Sequence, residues 1–176
     1  CLDYLKELNK KTFLTVELGL QSMHDDTLKL ISRGHDLKNF DECVHALKDA
    51  GIRVTVHIIN GLPFETKEMM IETVKHLNSL NIDGIKIHML HVIKDTAMES
   101  LYNKTHFHIL SKEEYIDIVI NQLEYLKPEI VIERITGDPV KDDLIEPTWL
   151  LKKFCVLNDI DKEMVKRNSY QGKRFQ

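Results

Sequence analysis

The stretch TFLTVELGLQSMHDDTLKLISRGHD, residues 12–36, decides the architecture of this chain. A β-rich run, residues 12–17, ends in the acidic Glu17, passes Gly19, Gln21 and Ser22, and opens into a helix that stops at Arg33 and Gly34. In a parallel α/β sheet or barrel the strands are buried on both faces and read as apolar. Reactive side chains then sit where a strand meets the loop to the next helix. Glu17 at such a junction is either a functional group or a solvated or paired one.

Downstream, the apolar spacing predicts a helix over 38–50, with Phe40, Cys43, Val44, Leu47 and Ala50 on one face and Gly51 at its end. Cys43 is thus expected to be a buried thiol. A strand, IRVTVHII at 52–59, runs into Asn60, Gly61, Leu62 and Pro63, and a helix over 66–80 turns Met70, Val74 and Leu77 inward. The next strand is GIKIHMLH at 84–91, with a short polar helix over 96–104 behind it. Ser111 and Glu114 form a capping-box pair that opens a helix over 112–126, and Pro128 ends it. EIVIERIT, 129–136, is a fourth strand, and the tail is helical from about residue 148, with fraying expected after Asn168.

Strands alternating with helices are the mark of βαβ units and a parallel sheet. The expected fold is α/β: a partial (β/α) barrel of about four parallel strands with outer helices over residues 1–146, then a helical extension over 147–176. Residues 2–10 read as the end of a helix, with Leu2, Leu5 and Leu8 at apolar spacing. The chain opens at Cys1 rather than at Met, so a piece of a longer protein is expected.

Of the 176 residues 43% are hydrophobic and 30% charged, enough for a real core, and the net charge of -4 argues against a basic nucleic-acid surface over the whole domain. Lys152, Lys153, Lys166, Arg167, Lys173 and Arg174 remain a local basic cluster, or simply solvated helix faces. No apolar run approaches the roughly 18 residues of a membrane span, and a cytoplasmic setting is expected. Cys1, Cys43 and Cys155 are too far apart for metal-ligand spacing and too few for a disulfide framework.

Alternation along the strands lets Glu17, His57 and His88 face one interior, joined by Glu133 or Arg134. Two histidines and a carboxylate at strand ends suggest a metal site of the kind used by barrel hydrolases or aldolases; each residue also has an ordinary structural reading. In GLPFE, residues 61–65, Gly61 and Pro63 make a tight turn that allows close backbone approach by a ligand, or an ordinary βα turn. The pattern is not a phosphate loop.

ELGLQS at 17–22, RGH at 33–35 and INGLPFET at 59–66 resemble, in order and spacing, the second half of a radical S-adenosylmethionine (radical SAM) enzyme barrel. The group is that of the elongator catalytic subunit, the methylthiotransferases and oxygen-independent coproporphyrinogen oxidase. IKIHMLHVIKDTAM at 85–98 is similar to the sixth strand and its loop, and ERITGDP with VLNDID narrows the likeness to a bacterial branch. The resemblance implies that Glu17 holds the ribose hydroxyls of S-adenosylmethionine, that Gln21, Ser22 and Arg33 lie among its polar contacts, and that the turn at Ile59, Gly61 and Pro63 packs on adenine. It implies base-edge contacts near His91 and a cofactor position for His57, where some members carry an acid. His88, Arg134 and Asp138 would lie on the substrate side.

Family members hold a [4Fe-4S] cluster on three cysteines spaced C-x3-C-x2-C, and no such spacing occurs here. The expectation is therefore a fragment of a radical SAM enzyme, inactive alone. The longer parent would form a 5′-deoxyadenosyl radical, with flavodoxin or ferredoxin as reductant and tRNA or a small molecule as substrate. A non-catalytic interaction module is a further reading. Half a barrel also leaves an open edge at the first strand, so self-association is expected.

Overall fold

A computed structural model describes residues 2–175, and its organisation follows from which side chains of each strand meet helices. Strands β1 (Thr15–Gln21), β2 (Arg53–Asn60) and β3 (Gly84–Met89) and, beyond the two-residue β4 (Val92–Ile93), β5 (Val131–Arg134) form one parallel sheet in the order β1-β2-β3-β5. Val54, Val56 and Ile58 of β2 and Ile85, Ile87 and Met89 of β3 are at most 3% exposed. They pack against α3 (Leu37–Asp49), α4 (Lys67–Ser79) and α6 (Lys112–Tyr125) through Phe40, Val44, Leu47, Val74, Leu77, Tyr115, Val119 and Leu123.

The intervening residues Glu17, His57, Lys86 and His88 lie on the other face of the sheet, where they meet one another and stay partly exposed. The strands are thus apolar at every second position only. This departs from the expected double burial, because helices cover one face and the other is polar.

Caps fix the helix starts. Asp36, Thr66 and Thr96, the last before α5 (Ala97–Thr105), each accept a backbone N–H three residues on, and Ser111 with Glu114 completes the expected capping box. β1 begins three residues later than the sequence suggests, because Thr12 N–H donates to Leu8 O at 3.1 Å and closes α1 (Leu2–Asn9). Helix α2 (Asp25–Leu30) stops before Arg33: Ser32 takes φ 56° and Arg33 N–H returns to Leu28 O at 2.8 Å. β4 pairs antiparallel with β6 (Leu144–Glu146), a ribbon absent from the sequence reading.

Cys43 is exposed, correcting the buried-thiol expectation. The buried stripe of α3 is the narrower Phe40, Val44, Leu47, and Cys43 falls on its flank. The C-terminal segment beyond α7 (Lys153–Lys166) does not fray either. Ser169 Oγ donates to Glu124 at 2.7 Å, Gln171 Nε2 to Lys127 O and Ile130 O, Gly172 N–H to Leu123 O, and Arg174 Nε pairs with Glu124 at 2.7 Å. A buried Glu124 carboxylate, 4% exposed in its side chain, needs these partners, and they hold the segment down. Arg167 pairs with Asp117 and Lys166 with Glu163, so much of the basic cluster is neutralised locally. Cys1 lies outside the described residues. Among those residues no helix is long and apolar enough to cross a membrane.

Within the sheet β1 pairs with β2 alone, leaving its outer edge of N–H and C=O groups unpaired. The chain of 176 residues is expected to self-associate along that edge. Light scattering should show a mass that rises with concentration; a constant monomer mass would exclude edge pairing.

Candidate functional site

The register that aligns Gly19 with His57 and His57 with Lys86 brings four strands' polar residues together. Glu17 is the hub. Its Oε2 lies 2.8 Å from His57 Nε2 and its Oε1 accepts from Lys86 Nζ at 2.5 Å. Lys86, then His57, hold the Glu17 carboxyl below the usual carboxylate range. Lys86 also lies 3.6 Å from Glu133, which accepts from Thr55 Oγ1 at 2.6 Å across β3. That reach requires Gly84: a Cβ there would sit 2.5 Å from Glu133 Oε1 and 2.8 Å from Thr55 Oγ1.

His57 stacks on His88, with ring centroids 5.5 Å apart and planes 8° from parallel. Burial, reinforced by the positive charge of His57, Arg134 and other neighbours, lowers the His88 imidazole to about 4. Parallel rings direct their nitrogens within separate planes rather than to a common point. Among the described residues no group of three His, Cys, Asp or Glu can hold a metal ion. The metal reading of Glu17, His57 and His88 is therefore corrected: the residues meet, but as an ion-paired and stacked set.

At the end of β1 the register shifts between Gly19 and Gln21, and Gln21 takes φ 71°. Arg33 folds back over this bulge, donating from Nη2 to Gly19 O at 2.6 Å and from Nε to His35 Nε2 at 3.1 Å. A side chain on Gly19 would fill that space, since its Cβ would stand 2.4 Å from Gln21 Nε2 and 2.9 Å from Arg33 Nη2. Ser22 turns inward: it is 1% exposed, donates to Glu65, and accepts from His24 N–H at 3.1 Å. Burial pushes the Glu65 carboxyl above its usual range despite the Ser22 and Thr27 hydroxyls. A carboxyl raised in the folded state favours folding in its protonated form, so its contribution is lost as pH rises from the ordinary 4.5 through the raised value. Glu65→Gln keeps an acceptor for the hydroxyls without the charge. Urea midpoints of the two proteins should coincide near about pH 4, and the variant should be the more stable at about pH 7.

The turn after β2 is anchored from below. Asn60 and Gln122 exchange two amide hydrogen bonds of 2.8 Å, and Gln122 Nε2 also donates to Met70 O at 2.9 Å. Gly61 has φ 80°, Pro63 is buried, and Phe64, at φ 68°, is 64% exposed with its ring edge-on to Phe107 at 6.3 Å. Leu62, Leu90, Val92 and Phe107 form a small second core here, packed by Ile59, Met98 and Ile145. His91 lies beside it: its Nε2 is buried against Gly137, where a Cβ would stand 2.6 Å away. Arg134 and Asp138 approach to 3.9 Å at the outer strand.

A family model described as the Radical SAM superfamily matches residues 1–77, and one described as the Radical SAM C-terminal domain matches residues 82–166. The chain belongs to the radical SAM superfamily. Among similar proteins, YtqA of Bacillus subtilis is 49% identical over 175 residues, 99% of this chain and 54% of YtqA. The tRNA uridine(34) acetyltransferase of Methanocaldococcus infernus is 31% identical over 139 residues, 76% of this chain and 26% of that protein. The solved structure of the archaeal Methanocaldococcus infernus Elp3, lacking N-terminal residues 1–46, matches with a TM-score of 0.81 at 23% identity, over 96% of this chain and 40% of that one, a likeness of fold. The chain spans about half the length of curated relatives such as YtqA.

Radical SAM proteins use S-adenosylmethionine and a [4Fe-4S] cluster. The described residues include only Cys43 and Cys155, on α3 and α7, which fit no cluster ligand set. The end of β1 does fit a cofactor with a carboxylate and ribose hydroxyls. It offers the Arg33 guanidinium and the Gln21 amide, which pack against Gly19 where any Cβ would collide with them, and Glu17, whose oxygens each keep a second lone pair beyond His57 and Lys86. The sequence reading missed Lys86, Thr55 and Glu65. Lys86 was detectable, since it lies two residues before His88 and so on the same strand face.

Proposed function

We propose that this chain carries the S-adenosylmethionine-binding and substrate-facing part of a radical SAM enzyme. The observation that carries the reading is the Arg33 guanidinium folded against Gly19 and the Gln21 amide at the end of the strand that bears Glu17. In this reading Arg33 binds the cofactor's carboxylate with its planar fork, Gln21 adds a polar contact, and Glu17 receives the ribose hydroxyls. Ser22 acts one step behind, tying the β1 loop to Glu65 and so to the turn of Gly61 and Pro63. That turn, with Ile59 and the backbone near His91, packs on the adenine. His57 keeps Glu17 in place, and His88, Arg134 and Asp138 face the substrate.

The chemistry the cofactor supplies when bound is one-electron cleavage leading to hydrogen-atom abstraction; the protein binds, orients and excludes water. The cluster would be held by cysteines other than those described here, with flavodoxin or ferredoxin as electron source. A base of tRNA is the first substrate to test, because a relative of 31% identity is named a tRNA uridine(34) acetyltransferase, and small molecules come next.

The decisive experiment is anaerobic reconstitution of the full-length protein with iron and sulfide, then addition of S-adenosylmethionine and a reductant. Formation of 5′-deoxyadenosine is expected. Its absence with an intact cluster would overturn the reading. If S-adenosylmethionine also fails to bind the chain itself, the strand ends serve an interaction module instead.

A further inference from the structure

Helices α4 and α6 run back along the parallel sheet, so their C-terminal ends lie beside the starts of β3 and β5, away from Gln21 and Gly61. There the C-terminal segment closes a cleft of about 450 Å³ lined by Lys75, Tyr125, Lys127, Arg174 and Phe175. Its frame is fixed. Asn78, 8% exposed, donates from Nδ2 to Tyr125 O at 2.8 Å and accepts from Lys127 N–H at 3.0 Å. Gln171 Nε2 holds Lys127 O at 2.7 Å from the other side. Gly172, at φ 81°, lets the segment pass Pro128, whose Cγ would stand 2.6 Å from a Cβ at that position.

The two rings gather cations. Lys75 Nζ lies 4.0 Å from the centre of the Tyr125 ring and Arg174 Cζ 5.7 Å from the same centre, while Lys127 Nζ lies 5.7 Å from that of Phe175. Among the described residues no acidic side chain lines the cleft, and neither Lys75 nor Lys127 forms a salt bridge. The buried Glu124 is already engaged, by Arg174 Nε at 2.7 Å and Lys173 Nζ at 4.0 Å. Nor is the end of α6 left to draw the lysines in: Gly172 N–H, Arg174 N–H and Asn78 Nδ2 occupy the carbonyls of Leu123, Glu124 and Tyr125. A solvated lysine is free to turn away from other cations. Three positive groups held at one recess without a counter-charge repel one another, and a bound anion relieves that repulsion.

We propose that this cleft binds the diphosphate group of a small ligand, with Lys75, Lys127 and Arg174 as its contacts. Arg174 brings Nη2, which is not spent on Glu124 or on Asn121. Three cations suit a diphosphate better than a single carboxylate, and the recess has the size of a small-molecule site. The site lies apart from the β1 end and makes no use of the cofactor reading.

The test is NMR of the isotope-labelled 176-residue chain, read at the backbone amides of Asn78, Lys127, Gly172 and Arg174. Inorganic pyrophosphate is titrated at constant ionic strength, with sulfate in a parallel titration. Pyrophosphate is expected to give saturable shifts at concentrations where sulfate gives none, while the amides of Gly19 and Gln21 stay in place. Lys75→Gln and Lys127→Gln should each weaken binding about 10-fold, as loss of one charge-assisted contact to phosphate would. Neither lysine side chain holds a hydrogen bond among the described residues, so both variants should keep the fold; unchanged exchange protection of the Gly172 and Arg174 amides checks this. Adenosine 5′-diphosphate binding more tightly than pyrophosphate would identify a nucleotide as the source of the diphosphate, and equal affinity a free polyphosphate. Equal shifts with sulfate, shifts that never saturate, or unchanged affinity in both variants would overturn the proposal. So would a response to a single-stranded RNA alone, which would make the cleft a contact for a nucleic-acid backbone.

Discussion

Replacing Gln122 with alanine is expected to lower the stability of the chain by about 3–5 kcal/mol, the range for a buried polar side chain whose loss leaves a cavity and unpaired partners. Gln122 is 0% exposed, and its amide satisfies both polar atoms of Asn60 and the carbonyl of Met70. Alanine leaves Asn60 with a donor and an acceptor shut off from water at the last position of β2. In Asn60→Ala the same two bonds are lost from the other side. The double variant should therefore be less destabilised than the two single losses summed, because neither partner remains stranded. Urea unfolding followed by Trp149 fluorescence measures both. Additive losses would mean that the two amides act independently. Since Asn60 carries the Gly61 turn, the single variants should also weaken S-adenosylmethionine binding, whereas a core truncation on the far side of α6 should not.

The second large effect concerns binding. Arg33→Ala is expected to weaken S-adenosylmethionine binding 10- to 100-fold, about 1.4–2.7 kcal/mol, as loss of a charged bidentate contact to a carboxylate would. Arg33→Lys should recover only part of this, since the ammonium keeps the charge but not the planar fork. Stability should change little, because the side chain is exposed and its hydrogen bonds among the described residues are to Gly19 O and His35. Calorimetric titration of the two variants separates the cases. Equal affinity in wild type and Arg33→Ala would remove Arg33 from the site.

Much of the frame was legible because it is written in local chemistry. The four strands, the capping box at Ser111 and the stop at Gly51 follow from periodicity and from residues with special backbone roles. What was not legible depends on partners distant in sequence. Glu124 and Arg174 look like ordinary charged residues on helix and tail, and only their meeting at 2.7 Å shows that the tail is a fastened segment. Cys43 sits at helical spacing from Leu47, yet the sheet touches α3 along a narrower stripe. Within the site, Glu17, His57 and His88 could be chosen from strand ends, but not their mutual geometry. Stacking rather than convergence of the two rings separates an ion-paired set from a metal site, and periodicity carries no information on ring planes. Lys86 lies two residues from His88, and that spacing alone places it on the same face.

The alternation along β2 and β3 has a consequence for how such a protein can vary. Residues of the polar open face and residues that hold the molecule together occupy interleaved but separate sets of positions: His57, Lys86 and His88 in one, Val56, Ile58, Ile85 and Ile87 in the other. Substituting within the first set can change the charge and hydrogen bonding of the open face without repacking the second. Lengthening or shortening β2 by a single residue would exchange the two sets and turn Val56 and Ile58 outward. Diversification of this face is therefore open to point substitution and closed to single-residue insertion.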